Sequence, residues 1–105
     1  MSTPQPATQL LDKGDGAMTH ATNLLKAMAN ENRLRILCLL DDSELSVSEL
    51  NARLVLSQSA LSQHLAILRR EGLVATRRSS QTIYYSLQGK EARAVVKTLA
   101  DLYAL

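Results

Sequence analysis

Within eight positions, Ser57-Gln58-Ser59-Ala60-Leu61-Ser62-Gln63-His64 sets three hydroxyls, two primary amides and one imidazole. Carboxamides present a donor and an acceptor side by side, the pattern that pairs with a base edge. Hydroxyls and the free amides of a helix N-terminus suit phosphate oxygens. Arg69, Arg77, Arg78, Gln81 and Tyr84 follow. Arg77 and Arg78 flank a turn, where cations favour phosphate or minor-groove contact. Together these make the candidate double-stranded DNA contacts Ser57, Gln58, Ser59, Ser62, Gln63, His64, Arg69, Arg77, Arg78, Gln81 and Tyr84, with Arg33 a further candidate for backbone contact. Cys38, the one cysteine, lies between Leu37 and Leu39 and excludes an intrachain disulfide. A thiol so placed packs as a small apolar group unless cations and access favour its thiolate, and Asp41 and Asp42 do the opposite.

Enzymatic chemistry finds no support: there is no nucleophile–base pair, paired-carboxylate motif or Gly-rich phosphate loop. His20 and His64 belong to different elements, so the roughly four ligands of a structural metal site are not supplied, and neither metal nor cofactor is expected. Three tyrosines and no Phe or Trp leave little for stacking single strands.

The elements that position these groups follow from pattern. Ser57 is a good N-cap for a helix over 58–71, whose Leu61, Leu65 and Leu68 at i, i+4 and i+7 form one apolar stripe. The polar residues fall largely off it, and Gly72 ends the helix. Upstream, Ser46-Val47-Ser48-Glu49 reads as a capping box opening a helix over 47–54, with Val55-Leu56 as the turn. Downstream, 73–78 and 82–87 are β-prone around Ser79-Ser80-Gln81. In that hairpin Leu73, Ile83, Tyr85 and Leu87 are expected to face the core while Arg77, Arg78, Gln81 and Tyr84 face out. Helices are further expected over 18–28, over 31–40 behind an Asn30 cap, and over 90–104, whose Val95, Val96, Leu99, Leu102 and Tyr103 share a face suited to a dimer contact. Residues 1–17, with both prolines and two glycines, read as a flexible arm.

The fold expected is mainly α with a small β-hairpin wing: a winged helix-turn-helix ordered α1-α2-α3-α4-β1-β2-α5, as a homodimer. The helix-turn-helix spans about 46–71, the wing 73–87, and 18–28 and 90–104 dimerise. At 105 residues this is one domain with an aliphatic core small enough to gain from association. Net charge is only +2, but its distribution is uneven. Residues 46–87 carry five arginines against two glutamates, whereas residues 1–45 carry four basic and six acidic side chains. Basic charge is thus concentrated on the unit proposed to meet DNA. With no membrane-length apolar run or signal-peptide pattern, a cytoplasmic protein is expected.

The chain resembles the ArsR/SmtB family of bacterial winged-helix repressors. The resemblance rests on Leu25-Lys26-Ala27-Met28-Ala29-Asn30, Arg33-Leu34-Arg35-Ile36-Leu37, Ser57 through Leu65, Leu68-Arg69, Gly72-Leu73-Val74 and Tyr84-Tyr85-Ser86-Leu87. It implies a dimer with two recognition helices in successive major grooves of an imperfect palindrome. Within the family, ILCLL, ELSVSEL and LADLYAL look like the thiol-based BigR, SqrR and HlyU branch, which implies sensing of sulfide, persulfide or oxidant through Cys38. That branch has a second cysteine where this chain has Ala104, so no two-thiol bridge can form within the chain. The expected function is therefore a dimeric transcriptional repressor of a sulfide-, persulfide- or oxidant-response operon. The alternatives are an ArsR-type regulator without thiol sensing, or a protein-interaction module of this fold without DNA affinity.

Overall fold

A computed structural model describes residues 6–104. The helices are α1 (Pro6–Asp12), α2 (Asp15–Met28), α3 (Glu31–Leu39), α4 (Val47–Arg53), α5 (Gln58–Arg70) and α6 (Glu91–Tyr103); the strands are β1 (Leu45–Ser46), β2 (Val74–Ser79) and β3 (Thr82–Leu87). The expected helix-turn-helix and hairpin are α4, α5, β2 and β3. Two corrections apply to the expected order. A helix precedes the first one foreseen, and a third strand joins the sheet.

The extra helix lies inside the stretch read as an arm. Pro6 takes the first helical position, where its missing N–H costs nothing and its φ is already set, and Ala7 to Leu11 are mostly good helix formers. Gly14, at φ 92°, separates α1 from α2, which begins at Asp15 rather than at 18. Residues 1–5 of the expected arm lie outside the described residues.

The third strand is too short to leave a sequence pattern. Leu45 pairs with Tyr85 and Ser46 with Tyr84, giving an antiparallel sheet ordered β1-β3-β2. Ser46 then caps α4: its hydroxyl accepts from Glu49 N at 3.2 Å while the Glu49 carboxylate accepts from Ser46 N at 2.9 Å. The capping box thus joins the sheet edge to the first helix of the pair.

The core is built from one face of each main helix. Ile36, Leu37 and Leu40 meet Leu50, Leu61, Leu65 and Leu68, with Leu73, Val74, Ala92 and Val96 closing the far side. Burying a leucine or isoleucine side chain contributes about 1.5–3 kcal/mol, so this aliphatic cluster fixes α5 against α3 and α4. The α5 stripe of Leu61, Leu65 and Leu68 is buried as its spacing requires. Ile83 departs from its expected inward orientation: it is exposed, because it pairs with Arg78 near the hairpin turn, beyond the core.

Both ends of α5 are closed by local hydrogen bonds. Ser57 Oγ accepts from Ala60 N at 3.1 Å. At the other end Gly72 N donates to Arg69 O and Leu73 N to Leu68 O, the two bonds of a Schellman motif, with Gly72 at φ 74°. The hairpin turn is the two-residue link Ser80-Gln81, since Ser79 pairs with Thr82. Ser80 takes φ 57°, a conformation usually left to Gly or Asn.

Candidate nucleic-acid interface

The packed stripe of α5 turns its other side outward. Gln58, Ser59, Ser62 and Gln63 are all exposed near its N-terminal end. Ser57 is exposed too, but its hydroxyl oxygen is engaged as the cap. This places two carboxamides and two uncommitted hydroxyls on the first two turns of the helix. That arrangement can present amides to base edges while the helix end meets phosphate.

His64 is set apart from that group. It is half-buried, and Arg33 Nη1 lies 3.4 Å from its Nδ1. Burial first, and then the Arg33 charge, push its pKa below the ordinary value of 6.5. A neutral ring accepting at Nδ1 carries its proton on Nε2. Arg33 itself is spent on protein: Nε donates to Ala27 O at 2.6 Å and Nη2 to Lys26 O at 3.3 Å. It thereby closes the C-terminal carbonyls of α2, where a cation suits the helix dipole. The structure therefore gives Arg33 an internal role, tying α2, α3 and α5 together.

The wing arginines are unequal. Arg77 is held by Glu44, with Nη2 at 2.7 Å and Nε at 2.8 Å from the same carboxylate oxygen, and its guanidinium lies 4.9 Å from the centre of the half-buried Tyr84 ring. The hydrogen bond to Glu44 and its charge raise the Arg77 pKa further above an already high value. Arg78, on the next position of β2, is exposed and makes no ion pair among the described residues. The same holds for Arg69 in the last turn of α5, whereas Arg70 lies 3.5 Å from Glu71. Gln81 is exposed at the tip of the hairpin. Sequence reasoning did not foresee Glu44: its partner is 33 positions away, and no local pattern records such a contact.

Cys38 opens on a groove of about 470 Å³ walled by Leu34, Leu39 and Leu54, with Glu31, Arg35 and Arg53 at its margins. Partial burial and then the Asp41 charge raise its thiol above the ordinary value of 9.0, so the thiolate is disfavoured. Helix α3, which carries Cys38, packs on α6, and α6 is closed by Ala104, whose N–H donates to Ala100 O. Among the described residues no cluster of three or more His, Cys, Asp or Glu side chains is arranged to hold a metal ion. No helix among them is long and apolar enough to cross a membrane.

The family model described as bacterial regulatory protein, arsR family, matches residues 30–76, which run from the α3 cap into the wing. The transcriptional activator HlyU of Vibrio cholerae is 63% identical over 83 residues, covering 79% of this chain and 77% of that protein. This chain belongs to the ArsR family. The biofilm growth-associated repressor of Agrobacterium fabrum is 36% identical over 110 residues, covering 98% of this chain and 94% of the relative. Among solved structures, reduced HlyU from Vibrio cholerae superposes with a TM-score of 0.82 at 56% identity, covering 92% of this chain and 99% of that one. BigR from Xylella fastidiosa gives 0.79 at 35% identity over 84% and 90% of the two chains. The protein is thus an ArsR-family transcriptional regulator of winged-helix fold, not an enzyme. Helices α4 and α5 and the hairpin β2–β3 occupy the stretches expected for the helix-turn-helix and the wing.

Proposed function

We propose that this ArsR-family regulator acts as a dimeric repressor that reads an imperfect palindrome in double-stranded DNA through α5. The supporting observation is the exposed set Gln58, Ser59, Ser62 and Gln63 at the α5 N-terminus, backed by a buried leucine stripe that fixes the helix in place. Arg69, Arg78 and Gln81 flank it as phosphate or groove contacts, Arg77 and Tyr84 shape the wing, and His64 donates from Nε2. A dimer is favoured by large apolar side chains left exposed on the end helices: Leu11, Leu25, Leu102 and Tyr103. Two recognition helices related by a twofold axis then meet half-sites about one helical turn apart. Enrichment of a randomised duplex pool by the full chain tests this, with light scattering for mass. A palindromic consensus bound by a dimer is expected. Binding no tighter than to random duplex would leave only an interaction module.

A thiol-controlled version of this function has its own support. Cys38 faces an open groove, and a solved relative is described as reduced HlyU. With one cysteine per chain, this control acts through Cys38 without an intrachain bridge. The Cys38 thiolate attacks the outer sulfur of a low-molecular-weight persulfide, the S–S bond breaks, and the donor leaves as thiolate with Cys38 persulfidated. DNA titrations before and after treatment with a persulfide donor test it. Release of the duplex is expected, whereas unchanged affinity of a chain shown by mass spectrometry to be modified would exclude this control.

A further inference from the structure

Asn51 is the one buried side-chain acceptor left without a partner among the described residues: its Oδ1 is shielded from solvent and no donor reaches it. Leaving such an atom unpaired costs free energy that an apolar residue there would not incur. Asn51 lies on α4 and lines a cleft of about 250 Å³ with Val47, Ser48, Ala52 and Gln58. Gln58 is the first residue of α5, so the cleft sits where the first helix of the pair meets the end of the recognition helix. Reversing the amide would leave its nitrogen unpaired instead, and a glutamine side chain complements either orientation.

Two of the side chains lining the cleft with Asn51 carry hydrogen-bond donors, Ser48 and Gln58. Ser48 stands one turn earlier on the same helix, so a bond to it would leave the relation between α4 and α5 unchanged. Gln58 comes from the other helix, and a bond to it would fix the rotamer of an exposed carboxamide at the α5 N-terminus. We infer that Asn51 is a positioning residue for Gln58, the two amides pairing when DNA occupies the interface, and hence a determinant of which base pair Gln58 selects. A carboxamide held at one end by a second amide keeps a fixed donor–acceptor order for a base edge, where a free one rotates to suit either. This rests on the DNA-reading function proposed above.

The test uses the full chain and the duplex it enriches from a randomised pool, set against a random duplex of equal length. Asn51→Ala weakens enriched-duplex binding about tenfold, within the range for one base-pair readout, and leaves random-duplex binding unchanged. In a Gln58→Ala background the same change has no further effect. Pools enriched by Asn51→Ala lose preference at a single base pair per half-site. Asn51→Asp keeps an acceptor oxygen, so it weakens both duplexes together and preserves their ratio. The melting temperature of Asn51→Ala stays level or rises, which separates positioning from loss of fold. Equal losses on both duplexes, additive effects of Asn51→Ala and Gln58→Ala, or the same loss of selectivity from Ser48→Ala would each overturn the inference. If the wild-type chain enriches no sequence, the DNA-reading function falls and the inference with it; selective wild-type binding that Asn51→Ala leaves intact overturns the inference alone.

Discussion

Replacing Glu44 with Gln should make DNA binding stronger at low salt and more sensitive to salt. In the structure one Glu44 oxygen takes both Nε and Nη2 of Arg77, so a phosphate can recruit that guanidinium only by displacing a carboxylate already in place. Arg78 has no such competitor among the described residues. Each phosphate neutralised by a cation contributes a slope of roughly −0.9 in log affinity against log salt, through release of condensed counterions. Freeing Arg77 should therefore steepen the slope by about 0.9, so that a fourfold rise in salt costs the variant about 3.5-fold more affinity than wild type. Fluorescence anisotropy of a labelled duplex at 50–200 mM salt reads this directly, on random duplex as well as on the enriched one. Two further variants complete the set: Arg78→Ala should flatten the wild-type slope by about 0.9, and Arg77→Ala should flatten it by much less. Exposed ion pairs contribute little to stability, so the melting temperature of Glu44→Gln should scarcely move. An unchanged slope, or weaker binding at every salt concentration, would refute the argument. The pair would then be holding the wing in its binding orientation, not masking a cation.

Ser80→Gly should stabilise the hairpin by about 0.5–1 kcal/mol, the relief of a left-handed conformation less the extra freedom of glycine when unfolded, read as a rise in melting temperature. Cys38 should alkylate more slowly with iodoacetamide at pH 7.5 than a free cysteine, because burial and Asp41 hold the thiol up; Asp41→Asn should recover part of the rate and leave the burial effect. The His64 pKa is lowered by burial and then by Arg33, so the folded state binds its proton less readily than the unfolded chain does. That contribution to stability is complete above about pH 6.5 and is lost as pH falls through the unfolded value toward the lower folded one. Denaturant melts should show it, and His64→Gln should remove this part of the pH dependence.

The leucine spacing of α5, the Ser46–Glu49 capping box and the Gly72 stop were readable because each is a local relation. A side chain three or four positions from its partner, or one residue with positive φ, leaves its mark on adjacent letters. The same logic placed Gln58, Ser59, Ser62 and Gln63 on the open side of the helix. What the letters do not record is contact across the chain. Leu45-Ser46 becomes a strand only because Tyr84 and Tyr85 arrive beside it. Arg33 and Arg77 look like any surface cations until Ala27 O and Glu44 are brought to them. Ile83 alternates correctly with Tyr85, yet the core ends before reaching it. In each case the missing information is the distance to a residue remote in sequence.

Ser46 belongs at once to the edge strand and to the cap of α4. A single residue that is both rung and hinge pin removes the relative freedom of the two parts it joins. The leucine contacts of α4 and α5 then carry the same constraint to the recognition helix. Within the chain, wing and α5 are therefore linked through α4 as one packed unit. In the proposed dimer, adjustment of fit along a duplex then falls to the rotation of one such unit against the other.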